Sequence, residues 1–440
     1  MPRIAAALAL ASSITVGVLV TSPVSASSAD SSGVRLEFGF SADVTNEQFF
    51  EESYTDTTFR SRDLRELPET RRAGVAALSW LHRAKSGAWT MRWRPELSLG
   101  DKARRALAAG RVDWGHIEEA AWSVEPRLEW REDESFGLER SEWRADLRTR
   151  YRRAWSAADR LEVAAGGEWL DATGEDVSLL LDRRVVRTSA RWTHLPVFGW
   201  EWGLRLAADG RVFPDSTSRD HSETGLSLEA GRLFGEAHRF SSVFEIQRRS
   251  AIRSVSSTRD RFWAPRVSIG LDLRSTSAAR LHWAAEAEAI RYDVPEEASY
   301  FDYELVRTRL ELGRDIGGGW AARLGPRLEW LLSAANPTER YAQTGFGLEC
   351  ERIGAGTWWS VGPEVGWRQY ERETDTIIDA PGFHSSFAYC GLQALVEVSL
   401  GGVWRARVIA DGRVEKHRDA SQDARSLYFS LDVRRLLAPS

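Results

Sequence analysis

Lysine is almost missing from this chain: of 59 basic residues, only Lys85, Lys102 and Lys416 are not arginine. A coding bias that also enriches alanine, glycine and tryptophan explains this as well as any need for guanidinium chemistry. Arginine content alone therefore assigns no function. Against 64 acidic residues the chain is net −5, which argues against a nucleic-acid partner. Histidine occurs eight times, scattered, with no His-x-x-x-His or Cys/His cluster at metal-ligand spacing. His384-Ser385-Ser386 lacks the glycine-framed turn that positions a nucleophile. No catalytic residue, cofactor or metal site is assigned, and the chain is not read as an enzyme. Long apolar runs are missing too. Beyond the N-terminus nothing approaches ~18 consecutive apolar residues, which excludes a membrane helix from the mature chain.

The N-terminus itself has the form of an export signal. Arg3 precedes an apolar or small stretch from Ile4 to Val20, and Val24-Ser25-Ala26 supplies a small-x-small cleavage site after Ala26. Residues 1–26 are thus expected to be a signal peptide and 27–440 a single domain. No cysteine follows the apolar run, so no lipid attachment of the bacterial lipoprotein type is expected.

What is present is alternation. Trp320-Ala-Ala-Arg-Leu-Gly-Pro-Arg-Leu-Glu-Trp330 places Trp320, Ala322, Leu324, Pro326, Leu328 and Trp330 on one parity. Arg323, Arg327 and Glu329 fall on the other. Period two sends these sets to opposite faces of a strand. Ten residues at ~3.3 Å each, tilted ~45°, rise about 23 Å, close to the ~25 Å apolar band of a membrane barrel. The same rhythm recurs from residue 34 to 433, for example over 89–99, 122–130, 143–151, 263–273 and 359–367.

Nineteen segments carry the pattern, the one over 74–82 weakly. A single-chain barrel normally has an even strand number, so about 18 strands are expected, with 16 and 20 open. Short Gly or Ser turns, such as Gly317-Gly318-Gly319, alternate with longer polar loops at 171–182, 214–221, 295–302 and 371–384. The two longest connections, Thr45–Arg72 and Gly100–Ala120, are candidates to fold into the lumen, the second with helix-like character over 102–109. Few residues precede the first strand, so no plug or periplasmic domain is expected ahead of it. Pro95, Pro126, Pro265, Pro326 and Pro363 each sit mid-strand on the apolar parity, where a bulge or irregular pairing is expected.

The polar parity is charged. Arg144, Arg148, Arg150 and Arg152 on one strand and Glu286 and Glu288 on another are expected to line the lumen, with Arg323, Arg327 and Glu329. In an 18-strand ring these two strands, about seven apart, are expected on roughly opposite walls, where facing basic and acidic sets would create a transverse field. The simpler alternative is that lumen charges neutralise their neighbours. On the apolar parity, Trp122 with Trp130, Trp320 with Trp330 and Trp359 with Trp367 lie eight to ten residues apart, as two interfacial girdles require.

In layout the chain resembles bacterial outer-membrane β-barrels of the porin-like type. The resemblance implies an antiparallel up-and-down transmembrane barrel in the outer membrane, in contact with lipid and assembled by the barrel-insertion machinery. It carries no motif from which functional residues or an oligomeric state could be transferred. Such barrels often end on Phe or Trp, whereas here Tyr428 and Phe429 sit well before Ser440. The expected function is a passive channel for small polar solutes, with a non-conducting scaffold or surface receptor acting through long loops as the alternative. Cys350 and Cys390 fall on the lipid parity of second-neighbour strands, nearly 10 Å apart and beyond the ~7 Å reach of a disulfide. Non-reducing mass spectrometry should find two free thiols; a Cys350–Cys390 link would force a different strand count.

Overall fold

A computed structural model describes residues 33–437, apart from 56–57, 84–88, 117–119, 136–137, 175–181, 236–237, 253–260, 276–278, 295–300, 335–336, 373–384 and 402. The expected signal peptide lies outside the described residues. The first ten strands are β1 (Gly33–Thr55), β2 (Thr58–Arg83), β3 (Trp89–Gly100), β4 (Ala103–His116), β5 (Ala120–Ser135), β6 (Leu138–Ala154), β7 (Asp159–Gly174), β8 (Arg183–His194), β9 (Trp200–Val212) and β10 (His221–Phe234). The second ten are β11 (His238–Ala251), β12 (Phe262–Arg274), β13 (Ala279–Tyr292), β14 (Tyr303–Gly317), β15 (Trp320–Leu332), β16 (Tyr341–Gly354), β17 (Thr357–Tyr370), β18 (Phe387–Leu400), β19 (Trp404–His417) and β20 (Ala424–Leu437). Each pairs antiparallel with the next, and β1 pairs with β20 from Leu36↔Leu437 to Glu47↔Ser426, so the sheet closes.

The strand number is 20, not about 18. All nineteen segments read by alternation are strands, and the twentieth is β4, within the connection expected to be helix-like. Its outward residues are Ala106, Ala108, Gly110, Val112 and Trp114, opposite Ala109 and Leu107. Small residues on the lipid side mute the alternation, and local Ala, Leu and Arg favour a helix. Pairing with β3 and β5 overrides that preference. The other long connection also differs from expectation. Residues 45–72 do not form a separate loop; β1 and β2 continue as a hairpin, paired from Thr45↔Glu69 to Thr55↔Thr58.

One parity faces outward all the way round. Phe38, Leu97, Leu147, Leu206, Leu324 and Leu392 are all exposed, at 42–53%. A closed barrel exposing such a surface satisfies its backbone internally and suits a bilayer. At ~4.8 Å per strand and ~40° tilt, twenty strands enclose about 40 Å between opposite backbones. Glycines with positive φ at Gly317, Gly318, Gly319, Gly356 and Gly401 make the tight turns of one rim. The other rim carries the longer connections, closed in part by side-chain caps. Asp182, Asp220 and Asp302 each accept a backbone N–H from the end of the preceding strand, at Ala172, Phe213 and Tyr292.

The five prolines produce no bulge. Each removes two residue pairs from one ladder and leaves the register unchanged, while its other ladder is unbroken. Pro95, Pro126, Pro326 and Pro363 interrupt pairing with the preceding strand. Pro265 interrupts pairing with the following strand. The difference follows from direction. An outward residue on an ascending strand turns its N–H to one neighbour, and reversing the strand exchanges left for right. Pro265 is the one on a descending strand. Lacking an N–H, proline breaks only the ladder its donor would have served.

Beside one gap the wall is very close: a Cβ on Gly325 would lie 1.7 Å from the carbonyl oxygen of Leu310, the residue opposite Pro326. Gly325→Ala should destabilise the barrel by about 2 kcal/mol. It is read as a lower unfolding temperature on heat-modifiability gels, with Gly210→Ala, in open space, as control. Equal temperatures would refute the close approach.

Candidate functional site

The polar parity forms one continuous lumen face, and its charges pair mainly along the wall. Arg144 donates to Asp146 Oδ2 at 3.0 Å and to Glu168 Oε2 at 2.8 Å. Arg150 and Arg152 both approach Glu162, at 3.3 and 2.7 Å. Glu286 accepts from Arg266 at 2.9 Å and lies 3.5 Å from Arg307. Arg323 reaches Glu349 and Glu351, and Arg327 reaches Glu364 at 2.9 Å. Glu329 accepts from Arg307 at 2.8 Å and from the Tyr341 hydroxyl at 2.6 Å. Neighbour neutralisation therefore accounts for seven of the nine charged residues expected in the lumen. The other two, Arg148 and Glu288, have no ion pair among the described residues.

Alternation could not reveal two of the tightest knots, because cross-strand register decides them. Glu168, with its side chain fully buried, is shared by Arg144, Arg183 and Arg187. On β15–β18, Arg368 donates to Gln343 at 2.7 Å and stacks over the Tyr341 ring at 4.0 Å, while Gln343 donates to the Tyr389 hydroxyl at 3.0 Å. Tyr389 lies flat over the wall because Gly345 and Gly366 have no Cβ; one there would stand 2.7 and 2.5 Å from its ring or hydroxyl atoms. At the loop rim, above the membrane-spanning height, hydrogen bonds keep two carboxyls below the usual range. Asp423 is lowered by Lys416 at 2.6 Å, and Asp101 by the Arg72 backbone N–H.

The wall from β6 to β14 is different. Ala164, Gly166, Ser189, Ala207 and Gly225 form a low floor, leaving a recess of about 760 Å³ on the lumen side. Arg148, on β6, and Glu288, on β13, both line it. Seven strands of twenty separate them, about a third of the circumference. The expectation that they occupy opposite walls is therefore corrected: with 20 strands they flank one recess, and any field runs along the wall.

His384 lies outside the described residues. Ser386 is buried and accepts the Tyr370 N–H at 3.1 Å, while Ser385 contacts His417, so both serve as loop fastenings. The six tryptophans all face outward by register. Trp122, Trp320 and Trp359 sit toward the tight-turn rim, and Trp130, Trp330 and Trp367 toward the loop rim. Trp320 and Trp359 meet edge to face at 4.7 Å, and Trp130 lies 6.4 Å from Trp143. Cys350 and Cys390 are free, on β16 and β18 with β17 between them.

No family model matches the sequence, and no curated protein is similar to it. Solved structures are similar in fold. The siderophore receptor PirA from Pseudomonas aeruginosa superposes with a TM-score of 0.54 and 10% identity over 92% of this chain and 80% of that one. The copper transporter OprC gives 0.56 and 10% over 93% and 80%. The ferric citrate transporter FecA, unliganded, gives 0.52 and 10% over 92% and 79%. With its apolar exterior and closed sheet, the chain has the fold of a membrane-spanning β-barrel, which these structures share.

Unpaired lumen charges control permeating ions more than paired ones do. Arg148→Glu should shift the reversal potential of the barrel in planar bilayers toward cations, and Glu288→Arg toward anions. Unchanged selectivity in both variants would show that neither side chain meets the ion path.

Proposed function

We propose that this protein is an uptake barrel of the receptor kind, which binds a polar solute on its lumen wall as the solute passes. The observation that carries the proposal is the recess on β6–β14, a solute-sized hollow whose lining includes Arg148, Arg205, Glu245 and Glu288, four charged side chains with no ion pair among the described residues. Likeness in fold to a siderophore receptor, a copper transporter and a ferric citrate transporter supports ligand handling over the passive porin-like channel expected from alternation alone. In this proposal residues 1–26 direct export, the barrel domain follows, and the outward tryptophans at both rims anchor it at the two membrane interfaces.

Solute flux into proteoliposomes separates the alternatives. With sucrose, citrate and tri-alanine supplied over a range of concentrations, receptor-type handling predicts that at least one flux saturates. Fluxes that all rise linearly would restore the passive channel, and flux no greater than in protein-free liposomes would leave a scaffold.

A further inference from the structure

The recess has a polarity that its size alone does not require. Its lining contains five arginines and six carboxylates, and most are paired. Those left without an ion pair among the described residues are Arg148 and Arg205 toward β6–β9, and Glu245 and Glu288 toward β11–β13. The two cations stand on β6 and β9 and the two anions on β11 and β13, with Arg266 of β12 between Glu245 and Glu288 in register.

The arrangement is tightest at one level. Arg205 of β9 stands beside Ser227 of β10, and Ser227 stands beside Glu245 of β11. Arg205 and Glu245 are two strands apart, roughly 10 Å between backbones, and do not come within ion-pair distance. Ser227 between them is only 8% exposed, lines the recess, and makes no side-chain hydrogen bond among the described residues. Arg266 stands beside Glu245 on the next strand and attracts it, but donates its hydrogen bond to Glu286 at 2.9 Å and makes no ion pair with Glu245. A guanidinium, a spare hydroxyl and a carboxylate thus lie in a row across about 10 Å.

We propose that this row binds a short zwitterionic chain, with its carboxylate at Arg205 and its ammonium at Glu245. A ligand of one sign would match one end and be repelled at the other, whereas a zwitterion matches both. Three residues of extended chain span about 10 Å, so a tripeptide fits the spacing. Arg148 and Glu288 extend the same polarity outward and orient the ligand as it approaches.

The inference rests on uptake through this lumen, and the test separates the two. Tri-alanine, its N-acetyl form (anionic) and its amide (cationic) differ little in size and only in charge. In proteoliposomes tri-alanine should half-saturate at a concentration at least fivefold lower than either blocked peptide. Arg205→Gln and Glu245→Gln should each remove that advantage, and the Arg205→Glu/Glu245→Arg double variant should restore it. Equal behaviour of the three peptides, or an advantage surviving both single variants, would overturn the site. Titration calorimetry of tri-alanine into the detergent-solubilised barrel reads the row without transport. Binding there with no flux of any solute would reject the uptake function and keep the site; no binding would reject the site.

Discussion

Everything in this molecule depends on closing a sheet so that no backbone N–H or C=O faces lipid unpaired. β1 and β20 meet and remove both edges, which is the condition for strands to cross a hydrocarbon layer. Closure imposes a second condition. A slip of one residue anywhere would turn an arginine row toward lipid and a tryptophan row toward water. The twenty pairings keep a single phase, from Glu37 beside Leu436 to Arg148 beside Glu125, and register shifts only near strand ends, at Ser53/Tyr54 and Asp315/Gly317. The prolines are tolerated because each removes two pairs from one ladder without altering that phase.

The same closure governs the charges. Side chains pointing into one lumen from adjacent strands are near neighbours, so opposite signs meet along the wall, as Glu168 does with three arginines. Long side chains fill the wall where they pair, and glycines let some lie flat, as under Tyr389. Where the lumen residues are alanine, glycine and serine, no long side chain fills the space, and Arg148, Arg205, Glu245 and Glu288 line it without an ion pair among the described residues. The recess therefore has one cause, the small floor between β7 and β10.

Most of the strands could be read directly because lipid on one side and water on the other force alternation at every step. β4 escaped because Ala106, Ala108 and Gly110 give the lipid side little apolar contrast, and their neighbours favour a helix. The hairpin extension of β1 and β2 escaped for a related reason: beyond the apolar band no alternation is imposed. The mid-strand prolines were visible as a repeated unit, but their effect on one ladder alone depends on strand direction.

Lumen residues such as Arg144, Arg148, Glu286 and Glu288 could be assigned to the polar face from parity alone. Their partners could not, nor could the difference between paired Arg144 and unpaired Arg148. Both face a glutamate on β5, and the difference is that Arg144 reaches Glu168 on β7 whereas Arg148 has Gly166 opposite it there. The sequence by itself determined a barrel, its two faces and its place in a membrane, because period two responds to the local environment of each residue. Only the tertiary structure decided how many strands close the ring, which charges meet, and where the wall stands open. These depend on register and circumference, which belong to pairs of distant strands and to no single segment.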